Sequence, residues 1–143
     1  MRVWVVDDDP GMRALLVRAT SSLSLDVTVF ENSSAALEAL SGAGVSGAPN
    51  FIITDYQLGD GNGGDVARAA APAPAILMTG TASIVPAEDQ ELFVDMLEKP
   101  FRLSALYDAI DAIRHTLRGR KASGTGVRAV KQPKKLASGT DPR

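Results

Sequence analysis

Val5-Val6-Asp7-Asp8-Asp9 and Phe51-Ile52-Ile53-Thr54-Asp55 are two short apolar runs, rich in β-branched residues, and each ends in acid. Continuous apolar runs of this length read as strands buried on both faces, the pattern of a central parallel strand. Two later runs end in the same manner, Ala75–Met78 before Thr79 and Phe93–Leu97 just before Lys99. In a parallel α/β sheet the carboxyl ends of the strands share one edge, and such folds place their sites along it. Four acids, a hydroxyl and an ammonium are therefore expected at one spot.

The segments between these runs have helical character. Asp9 reads as an N-cap with Pro10 at the first helical position. Met12, Leu15, Leu16 and Ala19 follow at helical spacing, which predicts a helix to about Leu23. Asp26 to Phe30 reads as the next strand. Ser33 or Ser34 caps a helix through Ala36, Leu37 and Leu40. Ser41 to Pro49 is rich in Gly, Ser and Ala and reads as a loop. Gly59 to Gly64 reads as a flexible turn leading into a short helix over 65–70, ended by Pro72 and Pro74. Pro86 and the acids Glu88, Asp89 and Glu91 leave room only for a short or frayed helix over 82–92. Leu103, Leu106, Tyr107, Ile110, Ile113 and Leu117 make one stripe of a last helix. Five strands alternating with about five helices predict an α/β parallel sheet with helices on both faces.

The chain has 143 residues, 45% hydrophobic and 22% charged, which fits one globular domain and a tail. With no cysteine, disulfide, Zn-thiolate and dithiol redox chemistry are excluded. No apolar run reaches transmembrane length, and the first residues do not form a signal peptide. The net charge of −2 hides an asymmetry: residues 1–118 carry 8 Lys+Arg against 16 Asp+Glu, and residues 119–143 carry 7 against Asp141 alone. An acidic domain over 1–118 is thus expected to precede a basic, disordered tail over 119–143. The acidic body is a poor nucleic-acid binder, so direct DNA binding by it is not expected.

Clustered carboxylates repel one another without a cation, and Mg²⁺ prefers oxygen ligands in octahedral geometry, some borrowed from phosphate and water. Phosphoryl transfer needs an in-line nucleophile and cations on the equatorial oxygens. Asp55, Mg²⁺ and Lys99 supply those parts. Taken singly the residues are less telling. Asp9 alone is best read as a cap. Lys99 alone reads as a surface lysine, and Thr79 alone as a strand-end hydroxyl bonded to the backbone. His115, the only histidine, falls on the last helix away from the acids and reads as solvated.

Val5-Val6-Asp7-Asp8-Asp9, Thr54-Asp55, Met78-Thr79-Gly80 and Glu98-Lys99-Pro100-Phe101 resemble, in order, the motifs of the response-regulator receiver domain of bacterial two-component signalling. The resemblance covers roughly residues 1–118. It implies a flavodoxin-like, doubly wound five-stranded sheet of strand order 2-1-3-4-5. It implies Asp55 as phosphoacceptor, with Asp8 binding Mg²⁺ directly and Asp7 directly or through water. The Gln57 backbone carbonyl would be a further ligand. Thr79 and Lys99 would hold phosphoryl oxygens, and the Lys99–Pro100 peptide would be cis. The implied partners are a sensor histidine kinase or phosphotransferase and a downstream protein target, in the cytoplasm. The domain would catalyse only its own phosphorylation and dephosphorylation.

Two positions depart from the family pattern. Met96 stands where the family commonly has a switch Tyr or Phe. Gly59 stands where proline is usual, so the loop after Asp55 is expected to be looser. With a short fourth helix, these changes predict an atypical output surface, or a first-helix contact with the kinase as the main interface. Two other functions share parts of the pattern. A haloacid-dehalogenase-like phosphatase also uses Asp, Mg²⁺, Thr and Lys, but its motif needs Thr or Val where Gly11 stands. A pseudo-receiver scaffold would bind partners without phosphorylation, and the intact acids, Thr79 and Lys99 argue against it.

Overall fold

The computed structural model describes residues 1–123. Five strands, β1 (Arg2–Val6), β2 (Asp26–Phe30), β3 (Phe51–Asp55), β4 (Ala75–Thr79) and β5 (Asp95–Glu98), form one sheet in the order β2-β1-β3-β4-β5. Every pairing is parallel. Five helices intervene or follow: α1 (Pro10–Ser21), α2 (Ser33–Gly47), α3 (Gly63–Ala70), α4 (Ala87–Gln90) and α5 (Leu103–Ser123). A single 3-10 turn at Ala82–Ile84 precedes α4.

Alternation along the strands divides the core in two. Val3, Val5, Phe51, Ile53, Ile76 and Met78 pack with Leu16 of α1 and Leu106, Ile110 and Ile113 of α5. Trp4, Val6, Ile52 and Leu77 face the other way and pack with Ala36 of α2, Val66 of α3, and Val85 and Phe93 flanking α4. Apart from Arg2, Thr54, Asp55 and Thr79 at their ends, central strands β1, β3 and β4 are apolar because both their faces are covered. Edge strands β2 and β5 are shorter on apolar residues and carry Asp26, Asp95 and Glu98, which discourage pairing with a further strand.

The cap of α1 falls where the sequence places it, but α2 is capped by Asn32, whose side chain accepts from the Ala35 amide at 2.8 Å, and not by Ser33 or Ser34, whose amides are taken by Asp60. Asp9 accepts from the Gly11 amide at 3.0 Å, with Pro10 opening α1. Four boundaries differ from the sequence expectation. α2 does not stop near Leu40: helical hydrogen bonding resumes across a kink at Gly44 (φ 69°, ψ 179°) and ends at Gly47. That backbone conformation is open essentially to glycine alone, so the Gly/Ser/Ala composition marks a broken helix and not a loop. α3 begins two residues early, at Gly63, capped by the Asn62 side chain on the Asp65 amide. β5 begins at Asp95 because Phe93 is used elsewhere: its amide donates to Gln90 and its ring fills the core beside α4. α5 runs through Gly119 to Ser123, past the residue at which the sequence reading ends the folded part. The rest of the proposed tail, residues 124–143, lies outside the described residues.

Candidate functional site

The register fixes the site. Val6 pairs with Thr54, Asp55 with Met78, and Thr79 with Glu98. The residues just past the strand ends, Asp7 after β1 and Lys99 after β5, therefore meet Asp55 at one edge. Carboxylate oxygens of Asp7, Asp8 and Asp55 lie within 4.8 Å of one another. Asp7 is fully buried, Asp55 half-buried and Asp8 exposed, so the cluster opens to solvent on the Asp8 side.

Lys99 neutralises the buried end. Its Nζ lies 3.0 Å from Asp7 Oδ2 and 3.2 Å from Asp55 Oδ2. The second oxygens are also occupied: Asp7 Oδ1 accepts from the Asp9 amide at 2.9 Å, and Asp55 Oδ1 from the Tyr56 amide at 2.8 Å. Burial holds the Asp55 carboxyl above its ordinary range. Lys99 opposes that rise, and the neighbouring Asp7 charge adds to it. For Lys99 burial is the largest influence and disfavours the charge. The hydrogen bond to Asp7 and the charges of Asp55 and Asp7 outweigh it, so the ammonium is held charged above its usual value. The Lys99–Pro100 peptide is cis, and the Lys99 amide donates to the Thr79 carbonyl at 2.8 Å.

Thr79 is buried at the end of β4, but its hydroxyl is turned to its own turn. It accepts from the Thr81 amide at 3.2 Å and lies 3.3 Å from the Thr81 carbonyl. Gln57 is exposed at the base of the loop after β3, bridged antiparallel to Asn62. His115 is exposed on α5.

That loop is not the loose turn its glycines suggest. Leu58 is buried, and the Leu58 amide donates to Gly61 at 3.1 Å. Asp60 reaches the start of α2, accepting from the Ser33 amide and hydroxyl at 2.9 Å and the Ser34 amide at 3.0 Å. Bonding from Ser34 and Ser33 holds the Asp60 carboxyl well below the usual carboxylate range. Gly63 has no room for a side chain: a Cβ there would meet the Asp55 carbonyl oxygen at 2.3 Å.

A second polar cluster lies under α4. The Tyr56 hydroxyl donates to Asp89 Oδ2 at 2.6 Å, and Arg68 of α3 pairs with Asp89 Oδ1. Burial, then the bond to Asp89, pushes the Tyr56 hydroxyl up to about 12. The sequence reading gives no role to Asp60, Tyr56 or Arg68, and takes Asp89 only as one of the acids that shorten the helix over 82–92. Their partners are 21 to 33 residues away, so no local periodicity points to them.

The acids suit a hard divalent cation such as Mg²⁺, which takes oxygen ligands and tolerates solvent on one side. A model of the response regulator receiver domain matches residues 3–111. The chain belongs to that family. DNA-binding transcriptional regulator NtrC of Escherichia coli (strain K12) is 33% identical over 121 residues, covering 79% of this chain and 25% of that protein. Response regulator receiver protein CpdR of Brucella abortus is 30% identical over 116 residues, covering 77% of this chain and 93% of that one. Full-length FixJ from B. japonicum superposes with a TM-score of 0.68 at 29% identity, over 80% of this chain and 58% of that chain. The receiver thus spans about a quarter of the NtrC regulators it matches and most of CpdR. The sheet order 2-1-3-4-5 is that of the expected flavodoxin-like fold.

Proposed function

We propose that this receiver accepts a phosphoryl group on Asp55 from the phosphohistidine of a sensor kinase or phosphotransferase, in a Mg²⁺-dependent reaction. The observation that carries the reading is the meeting of three carboxylates with Lys99 Nζ, within 3.2 Å of two of them, at one sheet edge. Asp7, Asp8 and Asp55 would hold the metal, together with the Gln57 carbonyl. Bound there, Mg²⁺ would offset charge on the phosphoryl oxygens and on the acids. An Asp55 carboxylate oxygen attacks phosphorus in line. The P–N bond breaks, and its electron pair leaves with the imidazole nitrogen, which takes up a proton. Lys99 then exchanges its bond to Asp55 for one to a phosphoryl oxygen. Thr79 releases Thr81 to donate to another.

The acyl phosphate adds charge and acceptor oxygens where a carboxylate stood, and neighbouring loops rearrange around it. Output then passes by protein contact. NtrC and FixJ are regulators of transcription by name, and a downstream target of this chain is open to identification by capture with the phosphorylated form. Among the described residues no helix is long and apolar enough to cross a membrane, and we place the reaction in the cytoplasm.

Intact mass after incubation with phosphoramidate tests the chemistry. The expected result is a gain of about 80 Da that requires Mg²⁺ and is lost in Asp55→Asn. Folded wild type that binds neither phosphoryl group nor beryllofluoride would refute it in favour of a phosphorylation-independent scaffold. Turnover of an added phosphate ester would favour the phosphatase reading instead.

A further inference from the structure

Asp89 is a buried carboxylate outside the acid cluster, 5% exposed, and its two oxygens are held by two different parts of the fold. Tyr56, in the loop after β3, donates its hydroxyl to one at 2.6 Å, and Arg68 of α3 holds the other. Gly64 clears the way: a Cβ there would lie 2.6 Å from Asp89 Oδ2. The element that carries Asp89 has little else to fix it. α4 is four residues long, and its N-cap, Pro86, supplies no side-chain hydrogen bond. A helix this short does not hold itself. Its place is set by the flanks Val85, Leu92 and Phe93, by the Gln90 side chain on the Val85 carbonyl (3.1 Å), and by Asp89, its one buried ionisable side chain.

Tyr56 connects this anchor to Asp55. The amide of Tyr56 donates to Asp55 Oδ1, and the hydroxyl of the same residue donates to Asp89. We propose that Tyr56, Asp89 and Arg68 form a link through which the state of Asp55 sets the position of α4, with Asp89 as its positioning residue. This rests on the proposal that Asp55 is phosphorylated. An acyl phosphate at Asp55 converts the carboxylate into a neutral acyl group and places a dianion beside it. The Tyr56 amide then faces a different acceptor, and the Asp55–Tyr56 peptide unit turns against the next one, which the Gly63 amide holds by its bond to the Tyr56 carbonyl (2.8 Å). The ring moves with its backbone. A hydrogen bond as short as that to Asp89 follows a displacement or breaks, and a broken one leaves one oxygen of a buried carboxylate without its donor while Arg68 keeps the other. In either event α4, with exposed Glu88 and with Glu91 just past its end, is repositioned. The link needs no aromatic side chain at Met96.

Hydrogen exchange of the full chain with Mg²⁺, with and without beryllofluoride, tests this, with ¹⁹F NMR reporting binding. In wild type, exchange over residues 85–93 is expected to change by about fivefold on binding. In Tyr56→Phe and in Arg68→Gln the ligand still binds, but that change falls below about twofold. Arg68 is half-exposed, so its variant keeps the test alive if Tyr56→Phe does not fold. A wild-type 85–93 segment that stays unchanged while ligand binds would overturn the link alone. So would a response undiminished in the variants. Wild type that binds no beryllofluoride would overturn the phosphoacceptor reading, and the link with it.

Discussion

The Lys99 ammonium sits between two carboxylates, one of them sealed from water. Taking a partner away from a buried charge is costly, about 3 kcal/mol, because the charge that remains is neither solvated nor paired. Lys99→Ala is therefore expected to lose about that much stability in Mg²⁺-free buffer, and to recover most of it when Mg²⁺ is added. Urea titrations in the two buffers check both halves. Asp55 carries the opposite sign. Because its folded carboxyl is held above the ordinary 3.8 by burial, the folded chain binds a proton there more readily than the unfolded chain. Stability from this position falls as pH rises from the unfolded value through the raised folded one. Asp55→Asn removes that loss. In Mg²⁺-free buffer its Tm should exceed that of wild type at neutral pH, and the margin should narrow toward acid. A margin that does not vary with pH in calorimetric melts would contradict the assignment.

At the scale of elements, caps and close approaches decide more than propensity does. Gly63 opens α3 against the Asp55 carbonyl. Gly63→Ala forces the helix start away from the strand that carries Asp55, and a loss of about 3 kcal/mol or more is expected. Phosphorylation rate should fall with it, measured under conditions where the variant is still folded. Such elements were unevenly legible in the sequence. β1, β3 and β4 are apolar runs ending in chemistry-bearing residues, and α5 shows an unbroken stripe, so these are read directly. Asp7, Asp8 and Asp55 follow from them, and Lys99 from the run before it that ends in β5, because a parallel sheet brings its strand ends together. The second half of α2 was hidden, since Gly42, Gly44 and Gly47 imitate a loop in composition. The fixity of the loop after Asp55 was hidden as well. It comes from Asp60 on α2 and from buried Leu58, contacts that sequence proximity does not display. Thr79 was placed correctly, while the direction of its hydroxyl, onto Thr81, belongs to the turn and could not be read from the strand.

The molecule as a whole carries its charge unevenly. Residues 1–118 hold a net −8, and three of the acids crowd one edge. A ligand that binds only the folded chain stabilises it by about 2.7 kcal/mol at a hundred times its Kd. Mg²⁺ is accordingly expected to raise Tm in a saturable manner, Na⁺ at matched ionic strength much less, and Asp8→Asn to remove most of the Mg²⁺ increment. Thermal melts against metal concentration measure all three.

The parallel registers have a further consequence. β3 and β4 are apolar on both faces, so sliding one past the other by a residue would bury almost as much oil-like surface. The slip would nevertheless carry Asp55 about 3.3 Å along the sheet and turn it to the opposite face. Compactness alone cannot tell the two alignments apart, but the acid cluster can. If Asp55 takes up the phosphoryl group as proposed, that uptake acts as a vernier on the sheet. Chains collapsed one notch out of line would pass a test of solubility or helicity and fail to take up phosphate, so labelling with phosphoramidate counts only the molecules whose strands are in step.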